Sequence, residues 1–261
     1  MPKFKIIRSD FREKINRFNP VINGIDTIFA DPPDNIGLGY EEHVDKMSRE
    51  MYLEFLGELV QCCLAVAKTT YISFNSKWMS EMGGVLSMYP KAGWIPQDTE
   101  IKWLIQGFTF GQHNHHDFGN NFRPIVRLRR PDAPMFPDNC RIESDRMKMG
   151  DKRANPAGRV PGDVWFNDFL EYSRVTGNSK QRRKWHPTQL HEGLVEDCLL
   201  MTTPPGGTVL DPFCGTGTTL RVCMANGWSC TTMDISRQYC EKVAEENQIP
   251  ELEDGLWYKE V

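Results

Sequence analysis

Three stretches of this chain carry side chains whose type and spacing could do chemistry. Asp31-Pro32-Pro33 follows a buried, β-prone run, Thr27–Ala30. Consecutive prolines fix φ and remove two N–H donors, so the carbonyls there point where the turn sends them. A carboxylate beside such carbonyls can accept both hydrogens of an exocyclic amino group. That draws the nitrogen lone pair out of conjugation and makes it a nucleophile, over hydrogen bonds of about 2.7–3.2 Å. The second stretch is Thr208–Thr219, TVLDPFCGTGTT: Asp211 ends an apolar run, Gly215 and Gly217 make a tight turn, and a helix pattern runs on to Gly227. A strand, a Gly-rich turn and a helix N-terminus form a nucleotide-binding crevice, because small residues let backbone N–H groups approach a ligand. The spacing is neither G-x-G-x-x-G nor a P-loop, so a diphosphate is not the implied ligand. The third is Asp234, at the end of the next apolar run, where an acid reaches ribose hydroxyls in dinucleotide folds. A sulfonium cofactor with an adenosine half suits such a crevice, since it needs an acid for its ribose and offers no phosphate.

Two further groups are polar and irregularly placed. His113, His115 and His116 stand with Asp117, but adjacent histidines diverge rather than converge on one ion, so no metal is expected. Arg127 and Arg129 have strand spacing and share one face; with Arg130, and with Arg182-Arg183-Lys184, they read as contacts to a phosphate backbone, which takes most protein–DNA hydrogen bonds.

The elements that must position these residues alternate. Strand runs are expected at Phe4–Ile7, Thr27–Ala30, Thr70–Phe74, Ile101–Ile105, Ile125–Leu128, around Val209–Leu210, and at Ser229–Met233; helix periodicity runs over Met47–Ala67, Trp78–Met88, from Leu190, after Thr219, and on to about Asn247. Strands alternating with helices indicate an α/β, Rossmann-like sheet with helices on both faces. The periodicity fades between Gly107 and His186, where Gly, Asn, Pro and Arg accumulate around several aromatic residues. An irregular stretch that long inside a compact domain is functional or disordered, and its aromatics favour an ordered insertion that touches a partner.

The chain has 261 residues, 39% hydrophobic and 25% charged, which is enough for a full core without staples. The net charge of −4 hides an asymmetry: Arg123–Lys184 holds 15 Lys and Arg against 8 acids, a net of +7, so the remainder carries −11. A basic segment in an acidic protein suggests a polyanionic partner. No apolar run approaches a membrane span and no secretory leader is evident, and the eight cysteines include no C-x-x-C pair. These features lead us to expect a cytoplasmic protein with reduced core thiols.

Together the stretches resemble the S-adenosylmethionine-dependent DNA amino-methyltransferases, in the permuted β-type order: catalytic motif Asp31-Pro32-Pro33 with Asn35-Ile36-Gly37, then a basic insertion, then cofactor motif Asp211 to Thr219. His186-Pro187-Thr188-Gln189 also matches that group. The resemblance implies a seven-stranded, mostly parallel sheet with one antiparallel strand. It divides the chain into a catalytic half (1–106), a target-recognition insertion (107–185) and a cofactor-binding half (186–261). It implies catalytic roles for Asp31, Pro32 and Pro33, and cofactor contacts from Asp10, Asp31, Thr188, Asp211, Pro212, Phe213, Gly215, Thr216, Gly217, Thr218 and Asp234. Double-stranded DNA is the implied partner; whether the chain forms a homodimer, or serves a cognate nuclease, is left open. Two departures stand out. The residue after the two prolines is usually aromatic in the family and stacks on the flipped base, whereas here it is Asp34. Tyr40, Phe110, Phe118 or a tryptophan of the insertion could replace it. The family also tends to have Lys-Pro after His-Pro-Thr-Gln, where this chain has Leu190-His191.

The resulting expectation is transfer of a methyl group to adenine N6 after base flipping, since Asp at the first motif position resembles the adenine enzymes more than the cytosine-N4 ones. Cytosine-N4 transfer is the alternative. A weakly catalytic, nucleic-acid-binding partner subunit, and an enzyme acting on RNA or a small molecule, are competing readings.

Overall fold

The computed structural model describes residues 1–15, 22–40, 42–43, 45–88, 96–108, 115–165, 175 and 179–261. Phe110 and His113 lie outside them. One sheet organises the chain: β1 (Lys3–Arg8), β2 (Ile25–Ala30), β3 (Ala67–Ser73), β4 (Glu100–Gly107), β5 (Phe122–Arg129), β6 (Val164–Trp165), β7 (Thr208–Asp211), β8 (Ser229–Asp234), β9 (Glu251–Glu253) and β10 (Leu256–Glu260). Their order is β6-β4-β5-β3-β2-β7-β8-β1-β10-β9. The strands from β3 through β2, β7 and β8 to β1 pair in parallel, while β5 runs antiparallel to both β3 and β4.

The run β4-β5-β3-β2-β7-β8-β1 therefore has the expected seven strands with one antiparallel, and the Rossmann-like expectation holds. The strand number does not: the sheet has ten among the described residues, with β6 added at one edge and the β9–β10 hairpin at the other. Neither addition alternates in a readable way. β6 is two residues long, and β9 (ELE) is exposed throughout.

Helices cover both faces. α1 (Phe11–Lys14), α2 (Arg49–Val66) and α3 (Met79–Met88) lie on one side, and α5 (Glu192–Thr202), α6 (Thr218–Asn226) and α7 (Arg237–Glu246) on the other; α4 (Asp145–Lys148) is a single turn in the segment between β5 and β6. The strand pleat feeds both cores. Ile28 and Ala30 of β2 pack with Leu56, Leu59 and Cys63 of α2, whereas Phe29 faces the layer of Leu194, Leu199 and Cys223. α2 starts at Ser48, whose Oγ accepts from the Met51 N–H at 3.2 Å, a helix N-cap. α2 passes directly into β3, with Ala67 as both its C-cap and the first strand residue. All eight cysteines are buried and none is in a disulfide. Among the described residues no helix is long and apolar enough to cross a membrane.

β2 and β7 lie side by side, and the chain leaves them in opposite directions, β2 towards β3 and β7 towards β8. In an open α/β sheet such a divergence leaves a crevice at the carboxyl ends of the two strands, where ligands bind. Asp31 follows β2 and Asp211 closes β7, so both sit at this crevice.

Candidate active site

One cavity lies over those strand ends. Its walls include Asp31, Pro32 and Pro33 after β2; Asp211, Pro212, Phe213, Gly215, Thr216 and Thr218 from β7 to α6; Asp234 from β8; Asp10 after β1; and Thr188. Of the residues expected to be catalytic or cofactor-binding, Gly217 alone is absent from the lining. It sits behind the wall at φ 73°, where an added Cβ would lie 2.6 Å from Val243 Cγ1, so it lets α6 pack on α7.

The cofactor half of the cavity is acidic and its loops are tied to carboxylates. Asp234 Oδ2 accepts from the Gly215 N–H at 3.0 Å and its Oδ1 from the Ser236 N–H at 2.9 Å. Burial pushes its carboxyl up to about 6, against these two hydrogen bonds. Asp211 Oδ1 accepts from the Phe213 N–H at 2.9 Å. Burial pushes this carboxyl further, to about 8, and the nearby Asp31 and Asp234 add to the shift. His186 packs at 4.7 Å between ring centroids from Tyr239 and at 5.7 Å from Tyr40, and burial lowers it to about 4, so it is neutral at pH 7. Asp10 lines the cavity with its carboxylate already engaged, by the Arg12 N–H and Nε on Oδ1 and by Arg12 Nη2 on Oδ2. Leu190, at the departure from the family's Lys-Pro, also lines the cavity.

On the Asp31 side of the cavity, side chains hold the backbone by hydrogen bonds. Tyr52 of α2 donates to the Pro33 carbonyl at 2.7 Å and Trp78 Nε1 to the Asp34 carbonyl at 2.7 Å. The following loop wraps around Asp45, which is 3% exposed and whose carboxylate accepts from the backbone N–H groups of Asn35, Ile36, Gly37 and Leu38 at 2.7–3.0 Å. This loop brings Tyr40 to the cavity, where its hydroxyl bonds the side chain of Thr188. Asp34 is buried and forms a two-point ion pair with Arg123, Nη1 to Oδ2 and Nη2 to Oδ1, both at 3.0 Å. Arg123 Nη2 also reaches Asp31 Oδ1 at 2.6 Å, and its Nε donates to Ser73 Oγ at 2.7 Å. Burial raises the Asp31 carboxyl, with Arg123 acting against it and Asp34 adding to it.

The arginines expected on DNA divide into two groups. Arg127 is buried on β5, opposite Tyr71 of β3, under the face covered by α5. Arg129 holds Glu100 at 2.6 Å and the Ala133 carbonyl, and Arg130 donates to the Leu64 carbonyl at 2.9 Å. Arg127 and Arg129 do share one face, as their spacing requires; Arg127 is buried there, while Arg129, with 12% of its side chain exposed, and Arg130 are held by contacts within the chain. Arg182 donates to the Pro187 carbonyl at 3.2 Å and Arg183 pairs with Glu246 at 2.9 Å, while Lys184 is exposed beside them. Phe118 is 94% exposed and Trp165 is buried, so neither stands at the cavity as a stacking ring. Arg123 was not singled out in the sequence. Its only signal there was its place in the basic stretch.

The fold and cavity define an α/β protein with an acidic nucleotide crevice and a carboxylate-proline turn at the switch point. A DNA methylase family model matches residues 25–246. The chain is 31% identical to the type II methyltransferase M.HpaI of Haemophilus parainfluenzae over 233 residues, covering 85% of this chain and 68% of that protein. It is 27% identical over 226 residues to the DNA adenine methyltransferase YhdJ of Escherichia coli strain K12, covering 82% and 73% respectively. Among solved structures it resembles the cytosine-N4-specific PvuII DNA methyltransferase, with a TM-score of 0.63 at 12% identity over 94% of this chain and 86% of that one. The chain belongs to the N6/N4 DNA methylase family, whose methyl donor is S-adenosylmethionine.

Proposed function

We propose that the chain transfers a methyl group to the N6 amino group of adenine in duplex DNA, reaching the base by flipping it out of the stack. The observation that carries this reading is the placement of Asp31 and Pro32 in one cavity with Asp211 and Asp234. When bound, S-adenosylmethionine supplies an activated methyl group on a cationic sulfonium. The cavity fits it: its buried carboxylates favour a cation, and Asp234 stands at the end of β8 for the ribose hydroxyls. Asp31 and the Pro32 carbonyl hold the amino hydrogens and aim the nitrogen, while Tyr40 offers an aromatic face at the same cavity. Alignment and charge placement then supply most of the acceleration. Within the 107–185 segment, β5 and β6 belong to the sheet. To the rest of that segment, with Arg182, Arg183 and Lys184 at its end, we assign target recognition and phosphate contact.

Asp31 at the first motif position and the likeness to YhdJ support adenine. The likeness to a cytosine-N4 enzyme favours cytosine as the second reading. Tritiated S-adenosylmethionine, the purified chain and mixed-sequence duplex DNA decide between them after nucleoside digestion. Label in N6-methyladenine is the expected result; label in N4-methylcytosine overturns the choice of base. Cofactor and DNA binding without transfer would instead favour a partner subunit.

Cofactor binding should depend on pH through Asp234. Ribose hydroxyls donate to its carboxylate and so favour the ionised form, which lowers its titration below the free value of about 6. Through this group affinity should weaken as pH falls through 6, approaching tenfold per unit, in addition to the change through about 8 that ionisation of Asp211 beside the cation contributes. Calorimetric titration across pH 5–8 measures this, and an affinity that does not fall below pH 6 removes Asp234 from the ribose site.

A further inference from the structure

We propose that Arg123 is a positioning residue for methyl transfer, orienting the Asp31 carboxylate, and that Asp34 is the anchor that holds Arg123 in place. The proposal rests on the methyltransferase reading above and goes beyond it by assigning two roles that the motifs do not contain.

The geometry is that of a planar fork with its donors assigned. A guanidinium has five N–H donors in fixed directions. Two of them engage Asp34 at both carboxylate oxygens, each at 3.0 Å, which fixes the plane of the fork. Nε is taken by Ser73 Oγ at 2.7 Å. With plane and axis both set, Nη2 meets Asp31 Oδ1 at 2.6 Å. The anchor is itself held: Trp78 Nε1 bonds the Asp34 carbonyl, and the next residue, Asn35, exchanges hydrogen bonds with Met47 through its side chain and donates its N–H to Asp45. The Arg123 and Asp34 side chains are only 16% and 7% exposed, so water competes little for these contacts, while Asp31 at 26% keeps access to the cavity. One oxygen of Asp31 is thereby fixed, and with the Ser73 side chain also bonded to it the carboxylate cannot rotate freely.

Charge gives the second half of the argument. Arg123 alone against Asp31 would neutralise the acceptor that the reaction needs. Asp34 shares that positive charge, so the trio carries a net −1 and Asp31 keeps its acceptor strength. Among the described residues the other groups acting on Asp31 are Ser73 from β3, Tyr40 from the same loop, Tyr52 from α2 and Asp211 from β7. None of them is a cation.

The two partners should therefore push Asp31 in opposite directions. Arg123→Met removes a positive neighbour, so Asp31 titrates higher and the acid limb of kcat moves to higher pH. Asp34→Asn removes a negative neighbour, so the limb moves to lower pH. A merely structural role would move neither limb, or both alike. We expect kcat to fall about a hundredfold in Arg123→Met, the size of a misplaced reacting group, with Arg123→Lys intermediate, and with KM for DNA and cofactor affinity within about threefold of wild type. Carbon-13 titration of the Asp31 carboxyl in the full chain reads the same displacements without any turnover, so this proposal can fail separately from the assigned reaction. If Arg123→Met does not fold, the near-isosteric Asp34→Asn gives the deciding reading. Unchanged kcat and an unmoved Asp31 midpoint in the variants, or losses confined to KM, would overturn the assignment. A wild-type chain that transfers no methyl group while its Asp31 midpoint still moves in opposite directions would overturn the reaction and leave the positioning intact.

Discussion

Methyl transfer at saturating cofactor should fall by about 10²–10⁴-fold in Asp31→Ala, the range for losing a positioned proton acceptor. The carboxylate is the acceptor that the amino chemistry requires, and the fold does not depend on it. Arg123 keeps both oxygens of Asp34 and the hydroxyl of Ser73 when Asp31 is removed, so no bare buried cation results. Asp31→Asn should be nearly as inactive although it fills the same volume. Its amide oxygen would turn to Arg123, placing the NH₂ group towards the incoming amino group, donor against donor. Single-turnover transfer with saturating cofactor is the measurement, and a rate within tenfold of wild type for either variant would remove Asp31 from the catalytic role.

The second large effect is expected at Asp45, outside the motifs. Its carboxylate accepts four consecutive backbone N–H groups, those of residues 35–38, and also sets the base of the loop that carries Tyr40. Hydrogen bonds to a charged group contribute about 1.5–3 kcal/mol each, and donors left unmade cost a similar amount. These four share one acceptor and are not additive, so Asp45→Ala should cost the loop about 3 kcal/mol. That is local opening rather than global unfolding, and it should speed amide exchange at residues 36–38 roughly a hundredfold. Asp45→Asn should resemble Ala, because its NH₂ would face donors. Exchange rates within threefold of wild type would show that other contacts hold the loop.

Much of this candidate site was legible because its acidic residues lie at strand ends and strands are readable. Apolar runs located β2, β7 and β8 to within a residue or two, and Asp31, Asp211 and Asp234 sit where those runs stop. Arg123 was not legible for a different reason. Its partners lie 89 and 92 residues away in the chain, and only the antiparallel insertion of β5 beside β3 brings them together. A charge count places it with Lys184, yet one is ion-paired inside the fold and the other is solvent-exposed. A charge count is equally silent on Arg127 and Arg129: strand spacing says which face they take, and burial decides what a cation there can do. Asp34 looked anomalous as a replacement for an aromatic residue, and Arg123 supplies its physical reason. The β9–β10 hairpin was missed because a short charged strand at a sheet edge has no buried face to impose alternation.

The placement of β1 has a consequence for how the chain is made. Its two neighbours, β8 and β10, are drawn from residues 229–260, more than 220 positions further along. A ribosome adding about 5–20 residues per second needs at least ten seconds to produce them. For that interval Phe4 and Ile6, both buried in the finished sheet, have no strand to pair with. Such long-range pairing is intrinsically slow, because the loop must close before the contacts repay it. The wall that carries Asp10 and Asp234 thus depends on pairings that come last, long after the residues around Asp31 have been synthesised.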